Sequence, residues 1–205
     1  MDLSVRQFIG LLTGGRLLAA GRRRYLRPGD ESTGDATFVR FLGEFRRVVA
    51  GKDEAGLRGL CAADVITGVD MTPGPEELVK RMRAGGWAEL AVVLGMGAAR
   101  YEKGFVMPYL FGKFPEDLEP TEHVVTVRTG AVLRVKAGGA VVCPLDFDIL
   151  RVREFKAGAT WLAAERLDGL KGVVAAGDVR SLGAPRVFFE KRGGAWKVTA
   201  WGAGA

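Results

Sequence analysis

His123 is the only histidine in the chain, and an imidazole is the side chain best suited to moving protons near neutral pH. No serine or cysteine stands beside it in a nucleophile motif, and it adjoins Glu122 where a strand should begin, so it reads as structural. Just upstream, Glu116, Asp117, Glu119 and Glu122 form an acidic stretch. Paired carboxylates can hydrolyse glycosides or hold calcium, but the prolines among them mark an exposed loop. Asp146 and Asp148 alternate around Phe147 and should share an exposed strand face, with a cation site as the second reading. Cys61 and Cys143 lie far apart, outside any CxxC or Cys/His group, so their spacing gives no zinc site. Two buried free thiols are favoured over a disulfide.

Other catalytic signatures are missing. Gly95-Met96-Gly97 lacks the third glycine and acidic partner of a dinucleotide fingerprint, and no G-x-S-x-G, H-E-x-x-H or phosphate loop occurs. Serine stands only at positions 4, 32 and 181. The chain therefore reads as non-catalytic, with no metal and no cofactor. Trp87, Tyr101, Phe105, Tyr109, Phe111 and Phe114 cluster in sequence with Arg100, Lys103 and Lys113 between them. Basic and aromatic residues together can stack single-stranded nucleic acid or sugars, but a packed seam between two subdomains is the simpler account.

The elements that would position these residues follow from patterning. Phe38, Phe41, Leu42, Phe45, Val48 and Val49 recur at helical spacing, with Thr37 as a cap and Gly51 as a stop. A second helix is expected over 53–63, and a third from Thr72-Pro73-Gly74-Pro75 to about Arg83. Residues 87–94 form a short apolar segment of either type. β-branched alternation predicts strands over 124–135, 141–152, 160–167 and 171–174. Residues 186–192 and 195–201 flank Gly193-Gly194, a two-residue hairpin signal. Its register pairs Arg192 with Ala195, Glu190 with Lys197, Phe189 with Val198 and Val187 with Ala200. Phe188 and Trp201 then fall on the face away from Val187, Phe189, Trp196 and Val198.

Composition sets outer bounds. The chain has 205 residues, 48% of them hydrophobic, which supplies a core for one ordinary domain or two small ones. The net charge is +6 and the pI about 9.6. Apart from a cluster at Arg22, Arg23, Arg24 and Arg27 the excess is diffuse, as on a solvated surface, and no nucleic-acid partner is expected. Phe8 to Gly21 is mostly apolar but begins after Asp2 and is broken by Arg16, a poor export signal. A cell-envelope location follows if the true start encodes an export signal, and a cytoplasmic one otherwise. No stretch reaches the roughly 18 apolar residues of a membrane span.

From Met107 onward the chain resembles uncharacterised bacterial proteins with an SH3-like (SH3b) domain. The matching stretches are MPYLFGKFPEDLEPTEHVVTV, DFDILRV, GLKGVVAAGDVRS and the tail FFEKRGGAWKVTAWGAG, the tail being the most specific. The family's Asn-Val-Arg-x-x-Pro stretch is here Ala131-Val-Leu-Arg-Val-Lys-Ala137, without Asn or Pro. The resemblance implies an α+β chain: an extension or linker over 1–36, a helical region and connection over 37–121, and a small SH3-like β-barrel over 122–205. It implies a peptide or peptidoglycan as ligand class, with Tyr109, Phe111, Trp161 and Arg134 as candidate ligand contacts. A second likeness lies in FVRFLGEFRRVVAGKDEAGLRGLCAADV, which resembles the helical opening of NTF2-like domains. That alternative implies a small apolar ligand in a pocket lined by Phe41, Phe45 and Trp87.

Overall fold

The structure, a computed structural model, describes residues 22–68, 70–153 and 158–203. The apolar run Phe8 to Gly21, with its export reading, lies outside them. Helix α1 (Ala36–Gly51) buries all six residues of its apolar stripe. Its cap is Asp35 rather than Thr37. The Asp35 carboxylate accepts the backbone N–H groups of Thr37 and Phe38 at 2.9 and 3.0 Å and the Thr37 hydroxyl at 2.5 Å. That hydroxyl above all, then the Phe38 N–H, holds the Asp35 carboxyl at about 2. The Thr37 hydroxyl in turn accepts the indole N–H of Trp196 at 2.9 Å, tying the helix start to the far end of the chain.

Helix α2 (Glu54–Leu60) ends three residues early, and Cys61 begins a strand, β1 (Cys61–Thr67), where helix was expected. Pairing with the C-terminal strand decides this, because local propensity is weaker than a sheet ladder over a buried face. Then come β2 (Thr72–Pro73), α3 (Pro75–Arg81), a π-type turn over Met82–Gly86, α4 (Trp87–Leu94), β3 (Ala99–Tyr101), β4 (Gly104–Met107) and the short α5 (Tyr109–Gly112). Seven strands follow: β5 (His123–Thr126), β6 (Val132–Arg134), β7 (Val141–Pro144), β8 (Ile149–Val152), β9 (Trp161–Arg166), β10 (Lys171–Ala175) and β11 (Val179–Ser181). The chain ends in β12 (Arg186–Arg192) and β13 (Ala195–Gly202).

These strands make two sheets. The first runs β2-β1-β13-β12-β4-β3, antiparallel except for the parallel pair β1–β13. Helices α1, α2, α3 and α4 bury their apolar residues in one cluster with Phe105, Met107, Val187, Phe189, Trp196, Val198 and Trp201 of this sheet. At its centre the Phe38 ring stacks on Phe105 with centroids 4.1 Å apart, with Phe189 at 5.3 Å and Trp196 at 4.9 Å.

The second sheet runs β11-β5-β8-β9-β10-β6-β7, all antiparallel. Val124 of β5 and Leu133 of β6 share one cluster although three strands lie between theirs, so the sheet is curled around its own core. Its edge strands β7 and β11 are not paired, so the expected SH3-like barrel is not formed; the fold is α+β with two open sheets.

The C-terminal hairpin likewise belongs to the first sheet. The turn at Gly193-Gly194 has φ of +58° and +82°, the values a primed turn needs and a β-branched residue resists. The register matches expectation from Arg192↔Ala195 to Phe189↔Val198. A bulge then shifts it, pairing Phe188 with Ala200 and Val187 with Trp201. An extra residue reverses the facing of everything beyond it. Trp201 consequently joins the core at 6% exposure, while Phe188 faces the other way against Tyr101 and Phe111. The tail that carried the SH3b likeness thus lies outside the curled sheet.

Trp196→Ala removes a ring packed on Phe38 and Phe105 and the Thr37 hydrogen bond, and should cost about 3–5 kcal/mol. Against a total near 5–15 kcal/mol this should appear as a large drop in the urea midpoint, with α1 helicity lost in the same transition.

Cys61 and Cys143 are both free, and burial pushes the Cys61 thiol up to about 12 from 9.0. Since the folded state holds this proton more tightly, its contribution is present below pH 9 and is lost as pH rises towards 12. Alkylation of native protein at pH 8 should therefore spare Cys61, urea should expose it, and Cys61→Ala should flatten the alkaline loss of stability.

Candidate functional site

Residues 22–31 cross the junction of the two sheets as a strap. Backbone bonds fix it at both ends: Leu26 N–H donates to Phe147 O at 2.8 Å and Ile149 N–H to Arg24 O at 3.0 Å. Glu31 N–H donates to Ala98 O at 2.8 Å, and the Glu31 carboxylate accepts from Arg100 N–H at 2.6 Å. The basic cluster is spent here. Arg23 grips Asp148 through two bonds of 2.6 and 2.8 Å, Arg24 grips Asp117 at 2.5 and 3.0 Å, and Arg27 reaches Asp146 at 2.7 Å. These bonds raise the pKa of Arg23 and Arg24 and lower that of Asp117.

This corrects the reading of Asp146 and Asp148 as an exposed pair. Asp148 is wholly buried, and it also accepts the N–H of Asp146 at 2.7 Å. Between them Phe147 takes a left-handed backbone, φ +55°, which is unfavourable for a bulky residue and persists only where surroundings impose it. The bonds from Leu26 and Arg23 on either side impose it.

Beneath the strap lie two adjoining cavities. An open groove of about 560 Å³ runs between α1 and α4, lined by Val49, Ala91 and Leu94 with Asp30 and Arg46 at its polar edge. A narrower chamber of about 110 Å³ lies further in, walled by Leu26, Leu110, Val125, Val127 and Phe147. Pro28, Gly95 and Met96 line both. Gly97 permits the close approach of strap and turn, since a Cβ there would lie 2.0 Å from Gly29 O. Burial alone would raise the Asp30 pKa, but the Ser32 side chain and backbone, the Ala98 N–H and the nearby Arg46 hold it below the usual range. A carboxylate and a guanidinium thus stand charged at the mouth of an apolar cleft, an arrangement suited to orienting an amphiphile.

The sequence candidates lie elsewhere or at the margin. Tyr109 packs under Gly29. Phe111 packs against Tyr101 and, edge-on, against Phe188, with the Arg186 guanidinium 4.3 Å from its ring. These two share α5 and form a seam. Trp161 and Arg134 lie in the second sheet on either side of β10, paired with Ala175 and Val173. His123 is buried, its Nδ1 2.7 Å from Glu119 O; a carbonyl only accepts, so Nδ1 carries the proton. Its Nε2 has no partner among the described residues. Glu119 accepts from Thr121, and Asp117 is taken by Arg24. Phe41, Phe45 and Trp87, the expected pocket lining, are buried in the core of the first sheet. Arg46, Asp30 and Met96 escaped notice; the only trace was Gly95-Met96-Gly97, whose glycines serve a backbone crossing. Among the described residues no group of three or more His, Cys, Asp or Glu side chains could hold a metal, and no helix is long and apolar enough to cross a membrane.

No family model matches the chain, and no curated protein matches it. Three solved structures are similar. One is a multiply substituted NTF2 variant at 11% identity, covering 81% of this chain and 95% of that one, TM-score 0.30. Another is an NTF2-like protein of unknown function from Pseudomonas putida KT2440, at 12% identity, 86% and 89% coverage, TM-score 0.28. The third, from Nostoc punctiforme PCC 73102, is a protein of unknown function with a cystatin-like fold, at 14% identity, 82% and 86% coverage, TM-score 0.26. Scores this low carry no argument, and nothing among the matches supports the SH3b likeness.

Arg23→Ala leaves the buried Asp148 carboxylate with the Asp146 N–H alone, and because the Arg23 side chain is itself partly in water the loss should be about 1–3 kcal/mol, that of an under-satisfied buried group. Arg24→Ala breaks an exposed pair and should cost far less. Paired denaturant melts should separate the two, and limited proteolysis should cut near residue 27 sooner in Arg23→Ala.

Proposed function

We propose that this chain is a non-catalytic, NTF2-like binding protein for a small amphiphile, held under the strap with its apolar part in the chamber and its polar end between Arg46 and Asp30. The observation that carries this reading is that groove and chamber adjoin, with Pro28, Gly95 and Met96 lining both. A groove of about 560 Å³ is within the usual size of ligand sites, which favour junctions between structural units. Helices covering one face of a mixed sheet agree with the NTF2-like alternative. The pocket differs in place, because Phe38, Phe41 and Phe45 fill the space between helix and sheet. A peptide or peptidoglycan groove on a closed barrel is not taken up, since the second sheet is open. The non-catalytic reading rests on the cleft's chemistry: Arg46 and Asp30 are the charged groups at the groove, and the unpartnered Nε2 of His123 lines neither cavity.

Anilinonaphthalene sulfonate, with apolar rings and one anionic group, is a suitable probe. Native protein should bind it saturably at one site. Met96→Trp, placed at the shared wall, should abolish binding with little change in melting temperature. Arg46→Ala should weaken it about tenfold, the worth of one charge-assisted hydrogen bond. Unchanged binding in Met96→Trp would remove the site.

A further inference from the structure

One face of the second sheet fills its own core; the other is covered at β5 and the start of β8, where Val125 and Ile149 are buried, and is open and basic over β9, β10 and β6. Paired residues point the same way and facing alternates along each strand. Arg151 pairs with Glu165, Glu165 with Lys171, Val173 with Ala163 and Arg134, and Ala175 with Trp161. All of these therefore lie on the face opposite Leu150, Leu162, Ala164 and Val174, which fill the core. A trough of about 300 Å³ lies on this face, lined by Arg151, Arg153 and Lys171 with Ala163 between them; Ala164, whose side chain faces the core, and its partner Gly172 border it with their backbone. These small residues leave the strands accessible from above.

The cations are nearly uncommitted. Arg151 and Arg153 make no ion pair among the described residues, and Lys171 meets Glu165 only at 3.7 Å with its side chain 69% exposed. Arg134 donates to Gly139 O at 2.7 Å and is half-buried, so it stands fixed at one end of the face. Trp161 is half-buried on the same face, on the other side of β10 and two residues further along it. In the strap Arg23, Arg24 and Arg27 are taken up by internal ion pairs; here Arg134, Arg151, Arg153 and Lys171 share a face on which Glu165 is the one carboxylate among the described residues.

We propose that this face binds single-stranded nucleic acid. Arg151 and Arg153 stand two residues apart, about 6.6 Å along the strand direction, close to the step between successive phosphates of an extended strand. Lys171 lies one strand further beyond Glu165. The phosphates would follow the trough while a base stacks on Trp161, the combination of basic groove and aromatic surface by which single strands are held without sequence preference. The aromatic is what separates this reading from an acidic peptide, which needs the charges alone.

The test is anisotropy of a short labelled oligothymidylate on the full chain at low salt, with a salt titration. The double variant Arg151→Ala/Arg153→Ala should bind at least tenfold more weakly, and its slope of log affinity against log salt should fall by about 1–2. Arg40→Ala/Arg47→Ala, an equal charge loss on the exposed side of α1, should bind as wild type. Trp161→Ala should weaken binding with the slope unchanged, and Trp161→Phe should restore it, which a merely structural role for the ring would not require. Equal losses in the two double variants would overturn the site, as would an absence of binding at low salt. Competition by polyglutamate as strong as by unlabelled oligonucleotide would overturn the nucleic-acid assignment.

Discussion

The pairing of Met107 with Val187 on adjacent strands of the first sheet is the constraint on which the architecture depends. The chain leaves this sheet at β4, builds seven further strands, and returns to form β12 against the strand it left. Everything between must therefore begin and end at neighbouring points. A second core can form there only if it closes on itself, and the curled sheet does so, with its own apolar cluster separate from that under the helices. Because β13 must then lie between β12 and β1, the last residues of the chain hold its first strand, and neither half of the primary sheet is complete without the C-terminus.

A single excursion of this kind leaves a joint, and the strap closes it. Three of its four arginines meet three aspartates of the excursion, and its Glu31 meets Lys113 and Arg100 nearer the first sheet. The contributions are unequal. Asp148 is fully buried and its partner partly so, whereas Asp117 and Asp146 are largely exposed and screened by water. The Arg23 pair is consequently the one whose removal leaves an uncompensated charge, and the others chiefly fix direction. The same pair holds Phe147 in its unfavourable conformation, so one ion pair shapes both the joint and the chamber wall.

Much of the helical half was legible in sequence. The stripe from Phe38 to Val49 fixed α1 and its buried face, since a 3.6-residue period admits few alternatives. The Gly193-Gly194 hairpin and its register near the turn were legible for the same local reason. What failed was non-local. β1 reads as the end of a helix until β13 is placed beside it, and the bulge that turns Trp201 inward has no signature in FEKRGGAWKVTAW. The tail resembled a barrel strand because any twisted antiparallel hairpin would. The basic cluster Arg22 to Arg27 reads as a solvated surface because its aspartate partners stand about a hundred residues away in sequence, at Asp117, Asp146 and Asp148.

The candidate cleft was illegible for a related reason. Its wall residues come from the strap, the ends of α1 and α4, α5, β5 and the turn at Phe147, and each is unremarkable alone. Where a helix-covered sheet could hold an internal pocket, this sequence places Phe38, Phe41, Phe45, Phe105, Phe189 and Trp196, whose rings pack in stacked, tilted and edge-on pairs with centroids 4.1–6.1 Å apart. These rings are buried in the core of the first sheet, and the space they take is unavailable to a ligand. At the joint the two cores approach without merging, and the groove and chamber lie there. Stability and binding are thereby assigned to different regions: rings hold the helices to the sheet, and the strap defines the cleft.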